Sequence, residues 1–119
     1  MVDDDENMRV WVCEALAEEG YECRTFVSGD AFLAVLDQLA PGCLLLDMRM
    51  PRRSGIQVQA ELVRLNSPMK VIVITGASNV ETIVEAMKLG AIDVLEKPFK
   101  VDALFEAVRV ALAAVTAEK

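Results

Sequence analysis

The chain has 119 residues, a net charge of −7 and no histidine. Its hydrophobic content of 54% suits one domain with a real core and argues against disorder, because disordered chains lack the apolar surface that offsets ordering entropy. The acidic balance argues against nucleic-acid binding by this domain, which needs clustered Lys and Arg, and is compatible with binding a cation.

Helical and extended patterns alternate along the chain. After the acidic opening "MVDDDENM", Met8, Val12, Ala15 and Leu16 recur at helical spacing between Glu6 and Glu19, and Gly20 is a natural stop. "YECRTF" predicts a short strand. Ser28 is placed to cap a second helix with Phe32, Leu33, Leu36 and Leu39 on one side, broken by Pro41-Gly42. "CLLLD" is the continuous apolar run of a strand buried on both faces and ends at Asp47. "RMPRRSG" reads as a loop and Ile56 to Leu65 as a third helix. "KVIVIT" is β-branched through its middle and stops at Thr75-Gly76. Ser78-Asn79-Val80-Glu81 has the form of a capping box, and the helix after it carries Val80, Ile83, Val84 and Met87 on one face before Gly90. "IDVLEKPF" predicts a last strand. A final helix from Val101 carries Leu104, Val108, Ala111, Leu112 and Val115.

Cys13, Cys23 and Cys43 are widely spaced, with no CxxC and no histidine to complete a zinc site, so three buried, reduced thiols in a cytoplasmic protein are expected. The N-terminus lacks the apolar stretch of a signal peptide, and no apolar run approaches the ~20 residues of a membrane span. Strand followed by helix, five times over, implies an α/β fold with a parallel sheet covered on both faces. Such sheets bind ligands beyond the carboxyl ends of their strands. Those ends hold Asp3-Asp4, Asp47, Thr75 and Lys97.

Carboxylates that share a site resist joint ionisation unless a cation relieves them. Mg²⁺ with oxygen ligands does so. Lys97 offers a point charge for a phosphoryl oxygen, Thr75 a hydroxyl, and Asp47 a nucleophile of the aspartyl-phosphate class. Phosphoryl transfer is mostly positioning and charge stabilisation, so a site without histidine is sufficient. Taken singly, each feature has an ordinary reading: acidic residues favour a helix N-terminus, and a strand-terminal Asp often belongs to a turn. Their convergence at one edge is what points to phosphoryl chemistry.

The stretches "VDDDE", "LLLDMRMPRRSG", "VIVITG" and "AMKLGAIDVLEKPF" resemble the receiver domain of bacterial two-component response regulators across nearly the whole chain. "DMRMP", "VITG" and "EKPF" are most similar to the FixJ-type subgroup. Separations of 43 (47 − 4), 28 (75 − 47) and 50 (97 − 47) positions agree with that family. The resemblance implies one flavodoxin-like domain over residues 1–119, a (βα)5 doubly wound five-stranded parallel sheet in order 2-1-3-4-5. It implies that Asp47 accepts a phosphoryl group from a sensor histidine kinase. Mg²⁺ would be held by Asp4 and Asp47, by Asp3 mainly through water, and by the backbone carbonyl of Arg49. Thr75, Lys97 and the backbone N–H groups of Met48 and Gly76 would hold phosphoryl oxygens, and Lys97-Pro98 would be a cis peptide. Arg49 and Ala77 occupy positions that tune dephosphorylation, and neither is an obvious base, so slow autodephosphorylation is expected. A switched face of the Val80–Leu89 helix and last strand, homodimerisation on phosphorylation, and control of transcription through a C-terminal DNA-binding domain absent from this chain complete the implied picture.

Two departures stand out. Val94 lies where the family often has an aromatic rotamer reporter, at the position that with Thr75 would form the switch. Only Met1 and Val2 precede the acidic pair, against an average strand of about 5–6 residues, so an unusually short first strand and reduced stability are expected. Val10 and Trp11 lie off the first helix's apolar face. Two other readings remain open: a phosphorylation-independent binding module on the same fold, and a haloacid dehalogenase-type phosphatase. The latter needs an acid two positions beyond its nucleophile, where this chain has Arg49.

Overall fold

A computed structural model describes residues 1–76 and 80–117. Three strands, β1 (Cys43–Asp47), β2 (Lys70–Thr75) and β3 (Asp93–Glu96), form a parallel sheet in the order β1-β2-β3. Leu45 lies opposite Ile72 and Val73 opposite Val94. Among the described residues five α-helices surround it: α1 (Glu6–Glu18), α2 (Gly29–Leu33), α3 (Gly55–Arg64), α4 (Val80–Lys88) and α5 (Val101–Ala117).

The pleat explains why "CLLLD" and "KVIVIT" are apolar throughout. Alternate side chains leave opposite faces. Leu45, Ile72 and Ile74 meet Val12 and Leu16 of α1 and Leu104, Val108 and Ala111 of α5. Leu44, Leu46, Val71 and Val73 meet Phe32 of α2, Val58 and Leu62 of α3 and Ala86 of α4.

The helix ends follow their local chemistry. Asp5 caps α1, its Oδ1 accepting from Asn7 N at 2.9 Å, and Gly20 (φ 85°) provides the left-handed exit that favours glycine. Ser28 caps α2. Ser54 and Gln57 form a reciprocal capping box at α3. The box expected at Ser78-Asn79 lies outside the described residues.

Three expectations need correction, and the structure orients a further element, α4, whose direction the sequence left open. "YECRTF" is not a strand; only Phe26 takes part, in an isolated parallel bridge to Val2. Its pairing on that side is confined to Phe26, whose N–H donates to Met1 O and whose carbonyl accepts from Asp3 N. The second helix is one short turn of α2 followed by a 3₁₀ turn at Leu36–Gln38. The apolar face of α4 does not enter the core: Val80, Val84 and Met87 are exposed, and Ala86 is the buried residue. A small side chain suits that contact, because buried Gln59 of α3 donates to the Ala86 carbonyl at 3.1 Å. The three cysteines are free but only half-buried.

Val2 is fully buried and bridges both Phe26 and Leu46. Its N–H donates to Leu45 O at 2.8 Å, and its carbonyl accepts from Asp47 N at 3.0 Å. The short first strand is thus a single residue inserted between two neighbours. Trp11 rests on Phe99, ring centroids 5.6 Å apart. No helix among the described residues is long and apolar enough to cross a membrane.

Candidate functional site

The carboxyl ends of the strands bring the acidic residues together. Asp47 is the last residue of β1, with 4% of its surface exposed, and Asp3 follows Val2 with none. Asp4 is exposed at the rim. One carboxylate oxygen from each of Asp3, Asp4 and Asp47 lies within 4.8 Å of the other two. Lys97, just past β3, reaches into this group: its Nζ is 3.3 Å from Asp3 Oδ2 and 3.8 Å from Asp47 Oδ1. Its own N–H donates to the carbonyl of Thr75 at 2.7 Å, which ties the end of β3 to the end of β2.

The electrostatics follow from this packing. Burial pushes the Asp47 carboxyl up to about 6, and the neighbouring Asp3 adds to it. Lys97 and the N–H of Arg49 pull the other way, and Asp4 adds a smaller push upward. One ammonium does not balance three carboxylates. That imbalance, with hard oxygen donors clustered and one of them at the solvent rim, fits a hydrated divalent cation of the Mg²⁺ type.

Asp3 N donates to Phe26 O at 3.2 Å, and side-chain bonds add to that pairing. Its Oδ1 accepts from Asp5 N at 2.9 Å, and its carbonyl accepts from Arg9 Nη1 at 2.8 Å. The sequence offered no reason to single out Arg9. Gly55 was also missed as part of the site. A side-chain carbon there would come within 2.6 Å of Asp47 O and 2.8 Å of Met48 Cα, so glycine lets α3 begin directly against the backbone of Asp47.

Met48 does not fit its expected role. Its N–H donates to Ile74 O at 3.0 Å, continuing the β1–β2 ladder, and is not free to hold a phosphoryl oxygen. The next residue points into the site instead: Arg49 N donates to Asp47 Oδ1 at 3.3 Å. Thr75 is buried at the end of β2 and Gly76 is exposed beside it. Val94 is half-buried and packs against the cluster of the α2–α4 face. The Lys97–Pro98 peptide is cis. Ala77 lies outside the described residues.

Comparison with known proteins agrees with this layout. Residues 1–109 match the response regulator receiver domain. The chain is 40% identical to the response regulator protein TmoT of Ectopseudomonas mendocina over 94% of its own length and 51% of that protein's. It is 42% identical to the transcriptional regulatory protein FixJ of Azorhizobium caulinodans, over 94% of this chain and 53% of FixJ. The crystal structure of FixJ-N superposes with a TM-score of 0.89 at 38% identity, covering 94% of this chain and 90% of that one. The chain therefore belongs to the receiver domains of two-component response regulators. It has their α/β fold with a parallel sheet and spans about half the length of the curated relatives it matches.

Proposed function

We propose that this domain accepts a phosphoryl group on Asp47 from the phosphohistidine of a sensor histidine kinase. The observation that carries the reading is the convergence of Asp3, Asp4, Asp47 and the Lys97 ammonium at the carboxyl ends of neighbouring strands. An Asp47 Oδ attacks phosphorus, the P–N bond to the donor imidazole breaks, and the imidazole leaves. Lys97 Nζ exchanges a carboxylate for a phosphoryl oxygen, assisted by the hydroxyl of Thr75 and the N–H groups of Arg49 and Gly76. Asp3, Asp4, Asp47 and the Arg49 carbonyl would hold Mg²⁺, which supplies charge neutralisation for the transferring oxygens.

The bridges on both sides of Val2 support the full sheet order 2-1-3-4-5 of a single domain over residues 1–119. The FixJ and TmoT relatives support transcription as the output, through a DNA-binding domain elsewhere in the protein, in the cytoplasm. Phosphorylation draws Thr75 inward and alters the exposed face of α4 and β3, including Val94, which then favours a homodimer. Dephosphorylation is slow, because Arg49 supplies no base to activate water.

The test is incubation with acetyl phosphate and Mg²⁺, read by intact mass, beside Asp47→Asn. The expected result is a Mg²⁺-dependent phosphoryl adduct that persists after the donor is removed and is absent in the variant. A second reading, a binding module that works without phosphorylation, draws on Val94, whose side chain packs into the fold and has no ring to swing. An unmodified wild type that still binds its partner would establish that reading. Turnover of added phosphomonoesters would instead establish a phosphatase.

A further inference from the structure

The turn after α1 brings two thiols together. Gly20 N donates to Ala17 O and Tyr21 N to Leu16 O, each at 3.0 Å. The chain therefore leaves α1 through the left-handed Gly20 and doubles back beside the helix. Cys23, on the returning segment, meets Cys13 of α1. The Cys13 thiol donates to the Cys23 carbonyl at 3.7 Å. The two thiols also bond one another: burial, and then this bond, push the Cys23 thiol up to about 12. Burial pushes Cys43 equally far, but no second thiol acts on it. Cys13 and Cys23 are only half-buried, so a small reagent in solution can reach them. Their meeting is a local matter of α1, Gly20 and the three residues that follow.

We infer that Cys13 and Cys23 form a reversible disulfide by exchange with a low-molecular-weight disulfide, and that this bridge staples α1 to the segment before α2. A thiol that keeps its proton is a poor first nucleophile, so Cys13 leads and Cys23 follows. The Cys13 thiolate, its proton passed to water, attacks one sulfur of the small disulfide. That S–S bond breaks, and one small thiolate leaves and takes up a proton. Cys23 then gives up its proton and attacks Cys13 Sγ in the mixed disulfide, and the second small thiolate leaves and is protonated. Two protein thiols are oxidised by two electrons, and one small disulfide is reduced to two thiols. The tightly held Cys23 proton slows the second step but favours its product, because a reduced pair that is not stabilised as thiolate loses less on oxidation. The bridge would join positions ten apart across a segment whose strand pairing is one isolated bridge at Phe26.

The test incubates the full chain with oxidised glutathione and reads intact mass and a non-reducing peptide map. The expected result is the loss of two hydrogens, a peptide pair joining Cys13 to Cys23, and full reversal by dithiothreitol. The bridged form should melt about 5 °C or more above the reduced form. Its hydrogen exchange over residues 21–26 should slow by on the order of tenfold. Cys43→Ser should form the same bridge, and Cys23→Ser should stop at a glutathione adduct on Cys13. A wild type that ends as a stable glutathione adduct, pairs Cys43 with either thiol, or joins two chains would overturn the proposal. So would a chain left unmodified, or one that bridges Cys13 to Cys23 only in urea. These readings are made on the wild type, need no variant to fold, and do not depend on phosphorylation of Asp47.

Discussion

Asp47 and Asp3 face the same site, but the backbones beneath them are held differently. Asp47 ends a five-residue strand in continuous register with β2. Asp3 follows a single bridged residue and is steadied by Arg9, Asp5 N and Lys97. The half of the site that would take a phosphoryl group, Asp47 with Thr75 and Lys97, rests on the ladder. The other half, Asp3 and Asp4, which with Asp47 would take a cation, rests on the single bridge of Val2, one backbone bond from Asp3 N to Phe26 O at 3.2 Å, and side-chain and capping bonds. Pairing along a ladder is cooperative, while isolated bonds open locally at lower cost. The two halves should therefore fail under different perturbations.

The largest separation is expected from two valines that are both fully buried. Val73→Ala in β2 and Val2→Ala should each cost about 2–3 kcal/mol, from two lost methyl groups plus the cavity they leave. Only Val2→Ala should also weaken Mg²⁺ binding, by several-fold in calorimetric titration, because it loosens the residue that carries Asp3. Equal Mg²⁺ affinities in the two variants would show that Arg9 and Lys97 alone fix the pair. Hydrogen exchange reads the same contrast without mutation. The Met48 amide, bonded to Ile74 O, should be more protected than the Asp47 amide, bonded to Val2 O.

The second effect is electrostatic. With its carboxyl raised to about 6 from 3.8, Asp47 binds a proton more tightly in the folded chain than in the unfolded one. Metal-free stability should therefore be greatest below about pH 4, fall as pH rises toward about 6, and level off above it. Asp47→Asn should flatten that slope and stabilise the metal-free domain near neutral pH by about 1–2 kcal/mol. Saturating Mg²⁺ should reverse the wild-type trend and leave the variant nearly unaffected. A metal-free slope that survives in Asp47→Asn would place the titration elsewhere in the cluster.

The same contrast separates what the sequence disclosed from what it hid. β1 and β2 were legible because a strand buried on both faces must be apolar at every position, and their last residues marked the site. "YECRTF" misled because alternation reports a half-buried strand only if a neighbour is there to pair with it. The exposure of Val80, Val84 and Met87 was hidden because periodicity gives a face without saying which way it turns. The buried contact of α4 is made by Ala86 against Gln59, which no apolar stripe announces. The occupation of the Met48 N–H was hidden too, since which backbone amides face which neighbour depends on register. Arg9 lay outside view because it works through a backbone carbonyl.

The smallest expected effect tests how the acidic opening divides its labour. Asp5 directs its side chain to Asn7 N and Met8 N, so it serves the start of α1, while its own N–H serves Asp3 Oδ1. Asp5→Ala removes the cap and keeps the N–H. It should cost about 0.5–1 kcal/mol in thermal or urea unfolding and leave Mg²⁺ affinity within about twofold. Asp4→Ala should do the opposite, because an exposed carboxylate at the rim of the cluster contributes little to the fold and one-third of the acidic ligand set. If Asp5→Ala weakened Mg²⁺ binding as much as Asp4→Ala, the three aspartates would act as one charge reservoir, and the assignment of Asp3 and Asp4 as a distinct pair would fail.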